Sequence, residues 1–528
     1  MTGVAAARLD RRAWLSDLSP AAVHIARNYT TACEPSAYSV AAAAVVDKCK
    51  VIHDRLYGST CHVCGGQARV AYVIWSDVRA CVNCDVELRV WDQRNTGLRN
   101  LTCSSCKSSF RKSHGRFLRE EPVRINLHCQ SCGRTEREPL AGDIVAASGD
   151  RSAIRTWYPR VPFDAGREMW RQGHAELGVW EVADFYSPRN LEALSQIWSE
   201  IQQQSDARIR DALMFTLTAI ANRASRRYQW NAKRPTNVLG GTLYIASLRY
   251  EFNVFDLWRR KAAAIKKLFE ATRGSTVDIQ VSLGSATDLP LPDESVDYVF
   301  TDPPFGANIV YSDCSLLWES WLATLTDRGA EAIVTRHLSA ENGGQSVEGY
   351  RLLMLQAFNE IGRVLKPERY ATMVFQNTDP VVWEAILSAL AEAGLVIEDA
   401  ATLHKAQPSF KGVKAQLEGE RVAATDIVLT LRRGPNGSHL NGSATWGAID
   451  EALRSELNRA SDATGRMRSI GHLYAVALAA AISNELSVRD VNFSRIETWL
   501  GEHCDYDNGW RLKKEIVATH METGSAFQ

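Results

Sequence analysis

The residues with the clearest chemical meaning are Val296-Asp297-Tyr298-Val299-Phe300-Thr301-Asp302-Pro303-Pro304-Phe305-Gly306, where an apolar strand runs into an acid, two prolines and an aromatic ring. Two adjacent prolines remove two backbone donors and fix φ, so the chain leaves the strand as a stiff elbow. In open α/β sheets ligands bind at the carboxyl ends of strands, which is where this elbow falls. The side chain of Asp302 and the main-chain carbonyl of Pro303 can each accept one N–H of an exocyclic amino group. That would turn the nitrogen lone pair, otherwise delocalised into its ring, toward an incoming methyl group. Phe305 can stack on a base flipped out of a helix. Chemistry of this kind rests on positioning and electrostatics, and it needs no general base in advance because the proton leaves after methyl transfer.

Cysteines make the second constellation. Eight of the twelve form Cys-x-x-Cys pairs: Cys61/Cys64, Cys81/Cys84, Cys103/Cys106 and Cys129/Cys132. Taken in order, the first two pairs are separated by 16 residues and the last two by 22. Each such quartet matches a four-cysteine zinc ribbon, although the sequence leaves the alternative pairing open. Gly65, Gly66 and Gly133 supply the freedom a tight knuckle favours. Four thiolates leave no coordination position for water, so two structural rather than catalytic zinc ions are expected. Cys314 reads as a core residue, as do Trp318 and Trp321.

The elements that must position these groups fall into blocks. The apolar segments at 277–283, 296–301, 370–375, 395–397 and 425–431 read as strands, with helices at 316–324, 350–364 and 381–393 between them. That alternation predicts an α/β fold with a mostly parallel, doubly wound sheet. Residues 11–18 read as a further strand, followed by Ser19 as N-cap and Pro20 as first residue of a helix. The expected organisation is a first part of the sheet domain at 1–35, a double cysteine ribbon at 50–140, a mostly helical basic block at 141–275, the catalytic part of the sheet domain at 276–433, and a separate helical unit at 444–528 after a Gly/Pro/Asn/Ser linker.

Composition narrows the partners only by location. Among 528 residues, Lys plus Arg and Asp plus Glu are both 61, so any nucleic-acid surface must come from local clustering. From Arg99 to Arg124 there are seven basic residues and two acids. From Arg223 to Arg234 basic residues interleave with Tyr228 and Trp230, a pattern suited to phosphates and base stacking. Arg226, Arg227 and Trp230 are therefore candidate substrate contacts. No apolar run approaches the ~20 residues of a membrane helix, and no secretory signal is visible, so a cytoplasmic chain without a membrane partner is expected.

The run from Asp302 to Phe305 resembles the catalytic motif of amino-group DNA methyltransferases. The longer run Thr301–Asp313, with Leu317-Trp318-Glu319-Ser320-Trp321-Leu322, resembles a narrower group, the adenine-specific DNA methylases that contain a zinc ribbon. Gly284–Pro290, Arg363-Val364-Leu365-Lys366-Pro367 and Ser409-Phe410-Lys411 fit the same pattern. The resemblance covers most of residues 1–433. It implies a Rossmann-like methyltransferase sheet, double-stranded DNA as substrate, S-adenosylmethionine as donor and N6-methyladenine as product. It places Asp302, Pro303, Pro304 and Phe305 in catalysis and Gly306, Asn308 and Tyr311 beside the substrate. A part in restriction–modification or phage defence, with other subunits of such systems as partners, is implied by the family alone.

The sequence departs from that family on the donor side. Where an aspartate more often contacts the donor's adenine, this chain has Ser285, with Asp288 nearby. Asp17 ends the first strand, where an acid would hold ribose hydroxyls, with Ser19 next to it. Counting back about 20 residues from Asp17 puts the glycine-rich turn just before Met1. Gly3 then falls at the start of the helix that should come after the turn. The expected reading is that Met1 is an internal methionine of a longer protein. The competing one is a shortened chain whose donor site is crippled or completed by another polypeptide, which leaves the activity of the chain as given open. Two further readings stand beside adenine methylation: N4-cytosine or RNA amino groups as targets, and a zinc-ribbon DNA-binding protein with a degenerate methylase core.

Overall fold

The computed structural model describes residues 2–95, 99–231, 238–272, 277–307, 309–339, 344–404, 425–434, 446–459, 470–484, 486–506 and 510–513. Asn308 and Ser409-Phe410-Lys411 lie outside them. The chain forms two compact units, Met1–Leu283 with Val310–Gly329 and Gly284–Ile309 with Ala330–Gln528.

The first unit begins with helix α1 (Thr2–Arg8), strand β1 (Ala13–Asp17) and helix α2 (Pro20–Thr30). Ser19 caps α2 as its sequence suggested: its hydroxyl accepts from the Ala22 N–H at 3.3 Å and Pro20 takes the first turn. Helix α3 (Pro35–Lys48) leads into a long antiparallel ribbon of β2 (Gln67–Ala80) and β3 (Phe117–Cys129), with Ala68 opposite Cys129 and Arg79 opposite Phe117. Helices α4 (Pro188–Gln202) and α5 (Ala207–Ala224) precede β4 (Leu248–Phe252), which pairs with the other edge of β2. Helix α6 (Val254–Thr272) comes next. The unit then returns to β1: β5 (Ile279–Leu283) pairs with it in parallel, Ala13 opposite Ile279 and Asp17 opposite Leu283. Helix α7 (Leu316–Leu322) packs on α2 and α5, burying Leu316, Leu317 and Trp321.

This unit also buries charge. Arg189 and Glu251 are almost wholly enclosed and paired at 2.7 Å, and the Trp75 indole donates to the same carboxylate at 2.7 Å. Arg249 pairs with Asp77 at 3.0 Å, both side chains 2% exposed. Burial alone would weaken such cations; the facing carboxylate keeps Arg189 charged.

The second unit holds a four-stranded sheet in the order β6, β7, β9, β8, with β6 (Val296–Thr301), β7 (Leu365–Phe375), β8 (Leu395–His404) and β9 (Thr425–Arg433). The β6–β7 pair is parallel; β7–β9 and β9–β8 are antiparallel. Helices α8 (Val347–Val364) and α9 (Pro380–Glu392) connect the strands and pack on each other. Met373, Phe375, Leu429 and Leu431 form one core with α8 and α9.

Two expectations of domain layout are corrected here. The break near residue 275 falls at Leu283, because β5 is held in the first unit by β1. The carboxyl-terminal helices are not a separate unit. Helices α10 (Gly447–Asn458), α11 (Ile470–Ser483) and α12 (Phe493–His503) share the core of the sheet, with Leu473, Ala477 and Leu478 fully buried and α11 lying on β8 and β9. Among the described residues, no helix is long and apolar enough to cross a membrane.

Glu251→Ala should lower the stability of the first unit by about 3–5 kcal/mol, because it strands the enclosed Arg189 guanidinium. The double replacement Arg189→Met/Glu251→Leu should return much of that loss. Denaturant midpoints of the two variants check it.

Candidate functional site

Strand β6 carries the motif to the carboxyl end of its sheet, and the loop after it is held from neighbouring elements. The buried Tyr350 of α8 donates its hydroxyl to the carbonyl of Pro304 at 2.7 Å, and the Gly306 N–H reaches the same oxygen at 2.9 Å. Just past β7, Asn377 donates its side-chain amide to the Phe305 carbonyl at 3.0 Å, and the Trp383 indole fixes Asn377 through its carbonyl at 3.0 Å. The Phe305 ring stands edge-on to Phe375, centroids 5.4 Å apart. Gly306 turns with φ +62°, and a Cβ there would meet the Asn377 amide at 2.9 Å and Val382 at 3.0 Å. Close approach and backbone conformation both require glycine at this position.

The acceptors of the loop are therefore divided. The carbonyls of Pro304 and Phe305 are used internally, while among the described residues no donor reaches the carbonyl of Pro303. Asp302 keeps solvent access on its side chain, and crowding by protein atoms raises its carboxyl above the ordinary value. Pro303 is buried, Pro304 and Phe305 partly so. Tyr350 and Asn377 were not singled out from sequence. The available signal was the position of Asn377 just beyond a strand, and the tyrosine hydroxyl on an otherwise apolar helix face.

The other expected site residues divide between the units. In the first, Asp17 is exposed at the end of β1, and its carboxylate accepts from the Ser19 N–H at 2.8 Å. The Ser19 hydroxyl donates to Glu319 at 2.6 Å, and Thr326 donates to the same carboxylate through its hydroxyl and its N–H. Gly3 is corrected as a donor contact: it is buried where α1 crosses the sheet, and a Cβ there would meet Leu15 at 2.7 Å and Thr30 at 2.9 Å. Its smallness serves packing. In the second unit, Ser285 and Asp288 share a turn, with the Asp288 N–H on the Ser285 carbonyl at 3.3 Å. Arg363 steadies the adjoining segment through the carbonyls of Leu289 and Leu291. Tyr311 is 40% exposed and starts a short helix in the first unit, where the buried Asp313 accepts from Arg167 at 3.1 Å and from the Met169 N–H at 2.8 Å.

Arg226 and Arg227 are corrected as phosphate contacts. Arg226 pairs with Glu120 at 2.9 Å and donates to the Asp184 carbonyl; Arg227 is 5% exposed and donates to the Asn222 side chain and the carbonyls of Leu239 and Thr242. Burial lowers both guanidinium pKa values, that of Arg227 to about 10. Trp230 is half-buried, edge-on to Trp91 at 4.9 Å.

The cysteines gather into two tetrads, but not in sequence order. Cys61, Cys64, Cys129 and Cys132 form one, and Cys81, Cys84, Cys103 and Cys106 the other, with ligand atoms all within 4.8 Å of one another. The expected quartets are corrected for a simple reason. Strand β2, fourteen residues of extended chain, separates Cys64 from Cys81 and at ~3.3 Å per residue keeps them some 40 Å apart. Its antiparallel partner β3 returns Cys129 to the start of β2. Each knuckle closes on backbone bonds, such as Cys61 N–H to Gly66 O at 2.8 Å and Cys103 N–H to Ser108 O at 2.8 Å. Left-handed residues come after the second cysteine of each pair: Gly65, Asp85, Lys107 and Gly133. Donors aimed at sulfur favour the thiolate. Cys106 is drawn down to about 5, first by the Ser108 hydroxyl, and Cys61 to about 7, first by the Cys64 N–H. Cys132 is instead pushed up to about 12, first by Cys64, and Cys84, against the Val86 N–H, to about 12 by burial and its sulfur neighbours. Four sulfurs in so small a space fit a tetrahedral zinc ion, which would hold them as thiolates.

No family model matches the chain, and no curated protein matches it. Comparison with solved structures finds a Thermus thermophilus protein described as a DNA modification methylase, with 15% identity and a TM-score of 0.17, covering 32% of this chain and 57% of that one. It also finds the [4+2]-cyclase SpnF, with 16% identity, a TM-score of 0.18 and 33% and 63% coverage. A Galdieria sulphuraria protein described as a sarcosine dimethylglycine methyltransferase has 15% identity, a TM-score of 0.18 and 34% and 67% coverage. The chain thus spans little more than half of the first of these, and the likenesses are too loose to carry an argument about function.

Two outcomes test the site as built. Cys64→Ser/Cys132→Ser should cost one zinc equivalent, while Cys64→Ser/Cys84→Ser should cost both, as read by metal analysis of the purified chain. Tyr350→Phe should lower stability by about 1 kcal/mol and loosen the motif loop, read by thermal unfolding and by proteolysis near Pro304.

Proposed function

We propose that the chain is an S-adenosylmethionine-dependent methyltransferase that modifies the N6 amino group of a flipped adenine in double-stranded DNA. The observation that carries the reading is the motif loop, with the solvent-accessible Asp302 carboxylate and the Pro303 carbonyl as its two outward acceptors at the end of a parallel strand. An exocyclic amine offers two N–H donors to such a pair. Held there, its lone pair faces outward and Phe305 supports the base from one side. S-adenosylmethionine, when bound, supplies the methyl group from its sulfonium. Asp17 has the chemistry to accept ribose hydroxyls, being an exposed acid at the carboxyl end of a parallel strand. Asp302 and the Pro303 carbonyl favour the positive charge that develops on the methylated nitrogen, and the proton then leaves to water. Each zinc, closed by four thiolates, braces one end of the ribbon and takes no part in transfer.

Transfer of labelled methyl to unmethylated DNA, with the product nucleoside identified, should yield N6-methyladenine. N4-methylcytosine, or transfer to RNA alone, would redirect the target. Asp302→Ala should reduce turnover by roughly 10²–10³, the loss seen when one fixed hydrogen-bonding partner is removed. The ionised carboxylate is the stronger acceptor and the form that favours the positive charge developing on nitrogen, so activity is highest above the pKa of Asp302 and falls as pH drops through it. Because that pKa is raised, the acid limb should lie above the ordinary value of ~3.9. Asp302→Asn keeps an acceptor oxygen that does not titrate; it should retain part of the activity and lose that limb.

A further inference from the structure

We propose that the outer face of the second cysteine knuckle pair, carrying Arg99, Lys107 and Arg111, is the surface by which this chain grips the phosphate backbone of double-stranded DNA. The inference rests on the DNA reading above and adds to it the place of contact.

No acid occurs between Asp92 and Glu120, while Arg94, Arg99, Lys107, Arg111, Lys112, Arg116 and Arg119 fall within that stretch. The structure sorts these cations. Arg119 pairs with Glu87 at 2.7 Å and Arg116 with Asp85 at 3.4 Å, as Arg89 does with Asp92 at 3.1 Å. Arg94 lies over the Trp91 ring. Lys112 is drawn in toward Asp77, and burial lowers its pKa. Arg99 and Arg111 are exposed and, among the described residues, make no ion pair. Lys107 is exposed and spends one of its three donors on the Ser104 carbonyl at 2.7 Å.

The fold also brings these cations to one side. Residues 100–102 and 109–111 form a small antiparallel hairpin with Asn100 opposite Arg111 and Thr102 opposite Ser109. Leu101 and Phe110 turn inward and are buried; Asn100, Thr102, Ser109 and Arg111 are all exposed on the other face. The Lys112 N–H to the Arg99 carbonyl at 3.0 Å closes the hairpin and sets Arg99 beside Arg111. Lys107 stands at the knuckle tip with φ +60°, the left-handed conformation that glycine holds after Cys64 and Cys132. A side chain kept where glycine is cheaper points to a use for that side chain. Free guanidinium and ammonium groups with hydroxyls and an amide, and no acid among them, suit phosphate oxygens. At the first tetrad the left-handed positions are taken by Gly65 and Gly133, which present no side chain.

The rival role for these cations is to neutralise a thiolate cluster that is negative even with zinc bound, so the test must read metal as well as DNA. Arg99→Gln/Lys107→Gln/Arg111→Gln in the full chain is compared with Arg89→Gln/Arg116→Gln/Arg119→Gln, which removes equal charge from cations already paired. Fluorescence anisotropy with a 30-base-pair duplex DNA is followed across a salt series, and zinc content is measured for each protein. The first variant should keep both zinc ions and lower the slope of log affinity against log salt by roughly 2–3, at ~0.9 per phosphate contact. The second should shift the slope by less than one. An unchanged slope in the first variant, loss of zinc from it, an equal effect of the second, or tighter binding of duplex RNA by the unaltered chain would each overturn the assignment. Failure of the unaltered chain to bind DNA at all would overturn the DNA reading itself, and this surface with it.

Discussion

Two extended strands of fourteen and thirteen residues cannot bring their far ends together, and much of the first unit depends on that constraint. Once β2 and β3 pair with Ala68 opposite Cys129, the outer Cys-x-x-Cys pairs meet at one end of the ribbon and the inner pairs at the other. Spacing alone would have grouped them in order. The same ribbon carries Trp75 and Asp77 inward, and β4 beside it brings Arg249 and Glu251. Those charges survive burial because each finds its counterpart: Asp77 with Arg249, Glu251 with Arg189. The ribbon thus links two features, a paired, enclosed electrostatic interior and a knuckle at one end where Arg99, Lys107 and Arg111 make no ion pair among the described residues.

Much of the second unit was legible in its sequence. Strand β6 spans the residues its apolar pattern marked, and α8 and α9 start and stop within a few residues of their expected ends, since Ser346 and Asp379 cap them through side-chain oxygens. What was not legible depended on partners distant in the chain. Arg226 and Arg227 sit in a basic run that reads as a phosphate surface. The groups that consume Arg226 lie 106 residues away at Glu120 and 42 away at Asp184, and no local pattern encodes them. Gly3 read as a donor-side residue at the start of the helix after the turn because small residues suit both ligand approach and tight packing; Leu15 and Thr30 decide for packing. The carboxyl-terminal helices did carry a signal. Helix α11 is apolar on nearly every side, which a helix of a separate small unit could not bury.

The loop after β6 shows why a motif of four residues requires a larger structure around it. Prolines 303 and 304 have no N–H, so this part of the loop cannot hold itself by donating hydrogen bonds; it can only accept. Its conformation must come from donors elsewhere, and those are the Tyr350 hydroxyl, the Asn377 amide and the Gly306 N–H, from a helix, a strand end and the turn itself. They give the Pro304 carbonyl two donors and the Phe305 carbonyl one, and leave that of Pro303. A loop rich in acceptors and poor in donors favours ligands that donate. Under the proposed reading, that favours a base presenting an exocyclic amino group here, as adenine and cytosine do, over one presenting a keto oxygen, which would face Asp302 with no proton between them. It does not separate adenine from cytosine, whose amino groups present the same two donors. That choice must be made by the rest of the ring, through contacts with its other edges, and the polymer that carries the base must be chosen farther away still, by groups that meet its backbone.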